Sequence, residues 1–352
     1  MTDDAPTLPT CPGILCYVDD ALPGISRKKL THGWAYYAPD GARITDREEI
    51  DRLNAIGMPP AYHDCWFCPS PHGHIQATGL DDKGRKQYRY HAEFRAAQDA
   101  AKYGRCGDFG RALPLVRARV DEDLTGGRLD KARVVAAIVR LLDLGHIRVG
   151  NEAYAKANKS FGATTLRDRH AAVRGATVSL RYTGKSGKEQ RITIEDKRLA
   201  RLVAKTQDLP GQQLFQYLDA EGGRHPVTSG DVNDYLREAT GAEFTAKNFR
   251  TWGASVIAFE QLIAHAANGI KLKTLLEPVA AALGNTPAIS RKSYVHPALI
   301  DLADGKPQPA LADLRLPRST RYLDRHERGL IAFLGGLADV AEAAGMAEKQ
   351  AA

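Results

Sequence analysis

The chain has 352 residues, of which 43% are hydrophobic and 26% are charged, values typical of a globular protein with two or three domains. It has no apolar run of about 18 residues, which excludes a membrane span, and its first residues lack the basic and apolar regions of a secretory signal. The net charge of +7 favours a polyanionic partner, and residues 83–119 alone carry ten Lys/Arg against three Asp/Glu. The five cysteines, an odd number, favour a reducing cytoplasm over a disulfide framework.

The first part of the chain is predicted to form a small β-rich domain at residues 21–91, after a poorly ordered segment at residues 1–20. In GWAYYAPDGARIT, aromatic and β-branched residues flank Pro-Asp-Gly, which predicts a hairpin. The stretch REEIDRLNAIG predicts a short helix that ends at Gly57. A second hairpin is predicted in HGHIQATGLDDKGRKQYRYH, where the chain turns at Asp81–Gly84.

From residue 92 onward, apolar residues recur at three- and four-residue spacing, which is typical of helices. Residues 92–352 are therefore predicted to form a larger, mainly α-helical domain, with a helical tail at residues 306–352. The stretch ATVSLRYTGKSGKEQRITIE interrupts the helices with strand-like alternation on both sides of a Gly-rich turn, which predicts an inserted β-hairpin. The predicted fold class is α+β, a small N-terminal β-sheet domain followed by the helical domain.

The Gly-Lys-Ser of the inserted hairpin does not predict a nucleotide-binding loop. The full pattern requires a glycine five residues before Gly184, where Ser179 stands, and a strand follows where a helix is needed. No cluster of acidic residues resembles a two-metal nuclease site. We therefore predict neither a nucleoside triphosphate site nor a catalytic metal.

The stretch HDCWFCPSPHGH contains Cys65-x-x-Cys68 with His63, His72 and His74 nearby, which is half of a zinc site. A closed site would need histidines from the same tight turn as its remaining ligands, and that arrangement would be strained. We favour ordinary half-buried loop residues and predict no metal, although zinc at Cys65 and Cys68 stays an open alternative.

Basic residues stand at several points where they could surround a tyrosine. They are Arg148 in GHIRVGN, Lys185 and Lys188 in TGKSGK, Lys247 and Arg250 in AKNFRTWG, and Arg291 and Lys292 beside Tyr294 in SRKSY. Each one taken alone is more often a solvated surface charge, and a lone tyrosine is more often a packed aromatic residue. Arg148 and Arg250 differ because they stand between apolar neighbours, and a buried arginine normally needs an anionic partner.

Phosphoryl transfer is a reaction that such a set of residues could catalyse. Two arginines can bind the non-bridging oxygens of a phosphodiester, on which charge develops during attack. A lysine on a hairpin can protonate the leaving oxygen. A tyrosine, whose ordinary pKa is about 10, becomes a useful nucleophile when neighbouring cations lower that pKa. Side-chain cations can then do the work of a metal ion.

At residues 33–305 the chain resembles the bacterial, poxvirus-like type IB DNA topoisomerases. The resemblance rests on four blocks in the right order, which are MPPAYHDCWFCPSPHGHIQATGLDDKGRKQYRYH, HIRVGNEAYAKANKSFGATTLRDRH, FTAKNFRTWGAS and LGNTPAISRKSYVHP. It implies that the helical domain is a catalytic domain of the tyrosine recombinase and topoisomerase IB type.

The resemblance also implies a role for five residues. The nucleophile is Tyr294, the phosphate-binding arginines are Arg148 and Arg250, the general acid is Lys185, and the last phosphate contact is Asn285. Lys188 lies so close to Lys185 that the general-acid role stays open between them. Viral members have histidine at the position of Asn285. An asparagine can still donate a hydrogen bond to a phosphate oxygen, but it carries no charge.

In the N-terminal domain the resemblance assigns DNA binding to the strand in GRKQYRY. The implied contacts there are Gln76, Arg85, Gln87, Tyr88 and Tyr90. Strand alternation places Arg85 and Gln87 on one face and Tyr88 on the other, so not all of them can reach the same groove of DNA unless the strand twists. The alternative is an ordinary strand with a basic surface. In the catalytic domain we expect further DNA contacts from Lys247, Arg291 and Lys292.

The activity implied is relaxation of positive and negative supercoils, through a 3′-phosphotyrosyl intermediate, strand rotation and religation. The expected partner is double-stranded DNA, around which a monomer closes as a clamp, with no membrane partner, no ATP and no cofactor. Such an enzyme would act in the cytoplasm, on the nucleoid.

Two rival interpretations share this fold. A tyrosine recombinase generally has histidine three residues before the second arginine, and here Lys247 occupies that position. A DNA-binding protein that has lost its activity would not be expected to keep all four of the residues Arg148, Lys185, Arg250 and Tyr294.

Overall fold

The computed structural model describes residues 15–337. The chain divides into two compact units between Lys102 and Tyr103, a point that lies inside one long helix. The boundary predicted at residue 91 lies near the start of that helix. Of the segment predicted to be poorly ordered, residues 1–14 lie outside the described residues. In its remainder, the Asp20 carboxylate lies 2.6 Å from the ammonium group of Lys86.

The N-terminal unit is built on a five-stranded antiparallel sheet with the strand order β2-β1-β3-β4-β5. The strands are β1 (Ile25–Lys29), β2 (Trp34–Tyr37), β3 (His63–Phe67), β4 (Ile75–Leu80) and β5 (Lys86–Tyr90). Helix α1 (Arg47–Ala55) begins after Asp46, whose side chain caps its first turn. Leu53 of this helix packs in one core with Tyr36 and Phe67, whose rings meet edge to face at 5.4 Å.

The hairpin predicted at Asp81–Gly84 is confirmed, since β4 and β5 pair with Thr78 opposite Tyr88. The carboxylate of Asp81 shapes the turn by accepting hydrogen bonds from the backbone N–H groups of Lys83 and Arg85, both at 3.0 Å. The hydrogen bond and charge of the Arg85 guanidinium lower the pKa of Asp81 to about 2. The turn is therefore anchored by an ionised carboxylate at any pH near neutrality.

The hairpin predicted around Pro-Asp-Gly is only partly correct. The turn exists, with the N–H of Ala38 donating to the carbonyl of Ala42 at 2.8 Å, but the second arm forms a single bridge between Tyr37 and Arg43. The main pairing partner of β2 is β1. Only one residue of β1 is buried, so its sequence lacks the alternation of buried and exposed residues that predicts a strand.

Strand β3 was expected to be a loop, and this expectation was wrong. Its pairing with β4 shifts register between His63 and Trp66, and Asp64 adopts a positive φ of 48°. This bulge breaks the two-residue period on which recognition of a strand depends.

The C-terminal unit is mainly helical. Its helices are α2 (Ala92–Asp123, shared with the first unit), α3 (Lys131–Gly145), α4 (Glu152–Asn158), α5 (Lys197–Gln207), α6 (Ser229–Thr240), α7 (Ala246–Ala264), α8 (Leu272–Leu283), α9 (Pro287–Ser293), α10 (Pro297–Asp301) and α11 (Pro309–Ala312). Residues 325–337 are also helical. Helices α3 and α7 are buried on nearly all sides and form the centre of the core, as expected for helices that are apolar all round.

The inserted hairpin is confirmed and is part of a larger sheet. Strands β7 (Thr177–Thr183) and β8 (Glu189–Glu195) pair antiparallel, and β6 (Ala171–Arg174) adds a third strand beside β7. Strands β9 (Gln216–Leu218) and β10 (Arg224–Pro226) form a separate small ribbon. The predicted α+β fold class, with its small sheet domain and its larger helical domain, is confirmed.

Helix α2 continues through Gly107, Gly110 and Pro114, residue types that ordinarily weaken or end a helix. Ring atoms of Trp252 lie as close as 2.3 Å to the place where a Cβ of Gly110 would be. The glycine is therefore required by close packing of two helices, and it does not end the helix even though its helix propensity is low.

A buried ion-pair network joins the helical segment 325–337 to the core. Arg117 donates to both carboxylate oxygens of Asp143, at 2.8 and 2.9 Å, and to both of Glu327, at 2.8 Å each. Trp252 donates to Glu327 at 3.2 Å. Burial would raise the pKa of Glu327, but Arg117 outweighs this and lowers it. Of the predicted helical tail, residues 338–352 lie outside the described residues.

Cys65, Cys68 and Cys106 are free thiols, whereas Cys16 is disulfide-bonded. In the described part of the chain, no helix combines the length and the apolar character needed to cross a membrane.

Candidate active site

Arg148 lies in the loop that follows α3. The helix ends at His146, which adopts a left-handed conformation with φ of 50° and turns the chain. Beyond it, the carbonyl of Arg148 accepts a hydrogen bond from the N–H of Ala163 at 2.8 Å. A Cβ at Gly162 would lie 2.5 Å from that same carbonyl oxygen, so a glycine is needed for this approach. The loop backbone is thus fixed beneath the half-buried Arg148 side chain.

Arg250 lies in α7 and is 4% exposed. Its guanidinium donates to the backbone carbonyl of His146 and, at 3.0 Å, to that of Leu283. These carbonyls stand at the C-terminal ends of α3 and α8, where the helices lack internal partners and their dipoles are negative. One buried arginine therefore joins the two helix ends that lead into Arg148 and Asn285.

Asn285 follows the left-handed Gly284 that ends α8, and its side chain contacts Arg148 directly. The Nη2 group of Arg148 donates to Oδ1 of Asn285 at 2.8 Å. The Nδ2 group of Asn285 is buried and has no hydrogen-bond partner within residues 15–337. Because a buried donor without an acceptor is costly, this amide is poised to bind an incoming oxygen atom.

Tyr294 stands at the C-terminal end of α9, half-buried, with the Arg250 guanidinium 4.7 Å from the centre of its ring. Burial would raise the pKa of the Tyr294 phenol, but the charges and hydrogen bonds of Arg250 and Arg148 outweigh it and lower the pKa below its ordinary value of 10. The phenol is thus easier to ionise than a free tyrosine.

Neither of these arginines has a carboxylate partner within the described residues. Burial lowers the pKa of Arg250, and the positive charge of Arg148 lowers it further. Two guanidinium groups close together without an acid create a site with a strong positive potential. The structure therefore brings four of the predicted residues together, Arg148, Arg250, Asn285 and Tyr294, around a place suited to an anion.

Lys185 and Lys188 lie at the tip of the β7–β8 hairpin, and both are exposed. Lys185 starts a tight turn, Lys185–Gly187, in which Ser186 has a positive φ of 63°. Neither lysine side chain forms an ion pair or hydrogen bond with any residue in the range 15–337. No contact within that range favours one amine over the other, so the choice between Lys185 and Lys188 stays a prediction.

Three other predicted DNA contacts, Lys247, Arg291 and Lys292, are exposed in the same unit. Lys247 lies in the first turn of α7, one turn before Arg250, and the other two lie in the last turn of α9. The carbonyl of Lys292 accepts a hydrogen bond from Tyr103 at 3.5 Å, and the Lys292 side chain is exposed.

On the N-terminal sheet, the predicted contacts divide between two faces. Arg85 and Gln87 both donate to the carboxylate of Asp81, at 2.8 and 3.1 Å. Tyr88 and Tyr90 are 39% and 40% exposed and stack with their ring centres 5.8 Å apart. The two tyrosines therefore present an aromatic surface, while Arg85 and Gln87 are tied to the turn.

Gln76 is placed differently from the other predicted contacts, because it is only 8% exposed. Its amide nitrogen donates to the carbonyls of Pro71 at 3.0 Å and Gly73 at 2.7 Å, and its oxygen accepts from Arg52 at 3.4 Å. It would have to leave these groups to reach DNA, so its contact with DNA stays a prediction.

Residues 15–337 contain no group of three or more His, Cys, Asp or Glu side chains that could hold a metal ion. Of the two cysteines considered for a zinc site, Cys65 donates a hydrogen bond from its thiol to the carbonyl of Tyr62 at 3.4 Å, and Cys68 is fully buried. His63 pairs instead with Asp64 at 3.0 Å.

Tyr182 is a buried tyrosine that the sequence analysis did not single out. It lies on β7, is 5% exposed, and burial raises the pKa of its phenol to about 12 although Arg250 and Arg148 oppose the shift. The two tyrosines influenced by these arginines thus have opposite pKa shifts. The buried positions of strand β7 alternate, and this alternation was the available signal that Tyr182 points inward.

Two protein-family models match the chain. The family model for the catalytic core of eukaryotic DNA topoisomerase I matches residues 91–301, and the model for the N-terminal domain of bacterial DNA topoisomerase IB matches residues 33–81.

The chain is 32% identical to DNA topoisomerase 1B of Acanthamoeba polyphaga mimivirus over 300 residues, which cover 82% of this chain and 89% of the relative. It is 20% identical to DNA topoisomerase 1B of Vaccinia virus (strain Copenhagen) over 240 residues, 65% of this chain and 72% of the relative. A solved structure of the XerH site-specific recombinase bound to a palindromic difH substrate aligns with a TM-score of 0.35 and 14% identity, over 52% of this chain and 47% of that chain. On the family match and the mimivirus relative, the chain belongs to the type IB DNA topoisomerase family.

Proposed function

We propose that the chain relaxes positive and negative supercoils in duplex DNA by transient cleavage of one strand through a covalent bond to Tyr294. The observation that carries the proposal is the pair of arginines beside this phenol. Arg250 is buried and Arg148 half-buried, neither pairs with a carboxylate within the described residues, and together they lower the pKa of Tyr294. A phosphodiester is the anion that would fill such a site and also react with such a phenol.

In the first step Tyr294 loses its phenol proton to solvent, its oxygen attacks the phosphorus, and the bond from phosphorus to the 5′-oxygen breaks. A 3′-phosphotyrosyl bond forms, and a strand with a 5′-hydroxyl is released. The free N–H groups of Arg148 and Arg250 would bind the two non-bridging oxygens, as bidentate guanidinium groups do well. The unpartnered Nδ2 group of Asn285 would donate a further hydrogen bond to one of them.

The leaving 5′-oxygen must gain a proton, and we assign this proton to Lys185 on the hairpin tip. While the strand is open, the downstream duplex rotates and torsion is lost. The 5′-hydroxyl then attacks the phosphotyrosine and returns its proton to the lysine, the bond from phosphorus to the Tyr294 oxygen breaks, and the phenolate leaves as the strand is restored. Because the phosphotyrosine preserves the phosphodiester bond energy and the cations are side chains, neither ATP nor a metal ion is required.

DNA would be held by both units, which we propose close around the duplex as a clamp formed by a monomer acting on the nucleoid in the cytoplasm. The exposed tyrosines of β5 and the basic residues Lys247, Arg291 and Lys292 would supply contacts outside the reacting phosphate. Arg85 and Gln87 would join them by breaking their hydrogen bonds to the Asp81 carboxylate and forming hydrogen bonds to DNA instead.

The first test is relaxation of a supercoiled plasmid by wild-type protein in EDTA without ATP. We expect complete relaxation, from negatively and from positively supercoiled plasmid alike. A detergent quench should trap protein on DNA, and peptide mapping should place the adduct on Tyr294. Cleavage confined to one DNA sequence, with strand exchange, would instead favour a recombinase, and the absence of any adduct would favour a DNA-binding protein without activity.

The lowered pKa of Tyr294 makes the pH dependence of cleavage a second test. The ionised fraction of the phenol rises with pH, so the single-turnover rate should rise with pH and level off below the ordinary pKa of 10. Arg148→Ala removes one of the charges that lower this pKa and should move the midpoint to higher pH. The rates should be measured on a substrate with a 5′-bridging sulfur, whose departure needs no general acid. An unchanged midpoint would contradict the proposed electrostatic role.

A further inference from the structure

The side chain of Gln190 on β8 lies between two glycines that each precede a proposed site residue. Its amide occupies the space beside Gly284, where a Cβ would be 2.0 Å from Oε1. Its stem lies beside Gly184, where a Cβ would be 2.9 Å from Cγ. Gly284 is followed by Asn285, and Gly184 by Lys185. Gln190 therefore spans from the root of the hairpin tip to the turn that carries Asn285.

We propose that Gln190 is a positioning residue that docks the hairpin onto this turn and so places Lys185 over the leaving 5′-oxygen. The inference rests on the proposed function, because it explains how Lys185, the general acid of that reaction, is positioned. Gln190 itself touches no substrate atom in this proposal. It acts through Gly184 and the backbone of the hairpin.

The two glycines differ in a way that supports docking. Gly284 has a φ of 61° and ends α8 in the left-handed region, so a glycine is favoured there by conformation as well as by space. Gly184 has a φ of −92°, which any residue can adopt. Its lack of a side chain is therefore explained by space alone, and the atoms that take this space belong to Gln190, with the carbonyl oxygen of Lys188 next at 3.5 Å.

The base of the hairpin is paired and packed, whereas its tip is exposed, so a contact that positions the tip would matter for catalysis. Gln190 pairs across the ladder with the buried Tyr182, whereas residues 185–188 are exposed. The Lys185 amine has no hydrogen bond or ion pair within residues 15–337. The position of this amine is thus set by backbone geometry, and a displacement of about 1 Å in a catalytic group can cost on the order of 100-fold in rate.

The test compares single-turnover cleavage of two DNA duplexes, one with the natural 5′-oxygen and one with a 5′-bridging sulfur at the scissile phosphate. Gln190→Ala should cleave the oxygen substrate about 10- to 100-fold more slowly than wild type. It should cleave the sulfur substrate at close to the wild-type rate, because a thiolate leaves without a proton. Gln190→Met, which keeps the length and shape of the side chain, should restore most of the rate on oxygen. Thr193→Ala, an exposed position on the same strand, is the matched control.

A purely structural role for Gln190 predicts a different pattern, in which both substrates slow equally. That result would overturn the proposal, as would a wild-type rate for Gln190→Ala on oxygen or a Gln190→Met variant as slow as Gln190→Ala. The double variant Lys185→Ala/Gln190→Ala should be no slower than Lys185→Ala alone. Gly184→Ala, which intrudes on the same contact, should repeat the sulfur rescue. If wild-type protein cleaves neither substrate, the proposed function fails instead.

Discussion

Replacement of Tyr294 by phenylalanine is expected to abolish plasmid relaxation and covalent adduct formation, a loss on the order of 10⁶-fold, the size found when a covalent nucleophile is removed. The phenol oxygen is the atom that would bond to phosphorus, and the second phenol that these arginines influence, Tyr182, has a raised pKa. The ring itself should stay in place, because Arg250 packs against its face at 4.7 Å and phenylalanine offers the same face. Thermal unfolding and DNA affinity at fixed salt should therefore remain close to wild type.

The matched control is Tyr182→Phe, since Tyr182 is the second phenol that the same two arginines influence. Burial raises the pKa of this phenol to about 12, so it stays protonated under conditions in which Tyr294 begins to ionise. Tyr182→Phe should still form the adduct. An adduct that survives Tyr294→Phe, or that is lost from Tyr182→Phe alone, would move the nucleophile to Tyr182 and contradict the assignment.

The helices and the inserted hairpin of the second unit could be predicted because their sequence periods match their burial. In α5, for example, the spacing of Leu199, Leu202 and Val203 produces one buried face. The same reasoning failed where tertiary contacts override local pattern. Gly110 would be expected to weaken a helix, but it lies inside α2, where it allows the Trp252 ring to pack closely. The bulge near Asp64 interrupts the alternation by which strand β3 could have been recognised.

The candidate site was predictable as a set of side chains but not as an arrangement. The resemblance supplied Arg148, Arg250, Asn285 and Tyr294, and the structure brings these four together. What no sequence pattern contained is the way Arg250 holds them, through the carbonyls at the ends of α3 and α8. Backbone acceptors have no residue identity, so a sequence cannot reveal them. Gln190 was missed for a similar reason, because its side chain packs against two glycines, which have no side chains of their own to suggest a contact.

Lys185→Ala is expected to slow cleavage of ordinary DNA by about 10² to 10⁴-fold, the range for loss of a general acid. The physical reason is the leaving group. An alkoxide is a poor leaving group at neutral pH, and the described side chains that meet the scissile phosphate in our proposal, Arg148, Arg250 and Asn285, bind oxygen atoms without giving up a proton. Because the Lys185 amine is exposed and forms no ion pair within residues 15–337, its removal should leave the free energy of unfolding almost unchanged.

Two comparisons decide whether the lost contribution is proton donation. A 5′-bridging sulfur should restore Lys185→Ala to near the wild-type rate, because the thiolate needs no proton, but it should not rescue Arg250→Ala, which loses phosphate binding. Lys188→Ala is the matched control on the same exposed turn and should keep most of the activity on oxygen. If Lys188→Ala were instead the variant that sulfur rescues, the general acid would be Lys188. Rescue of neither lysine variant would show that the leaving oxygen takes its proton from water, and that the hairpin contributes to catalysis by binding DNA.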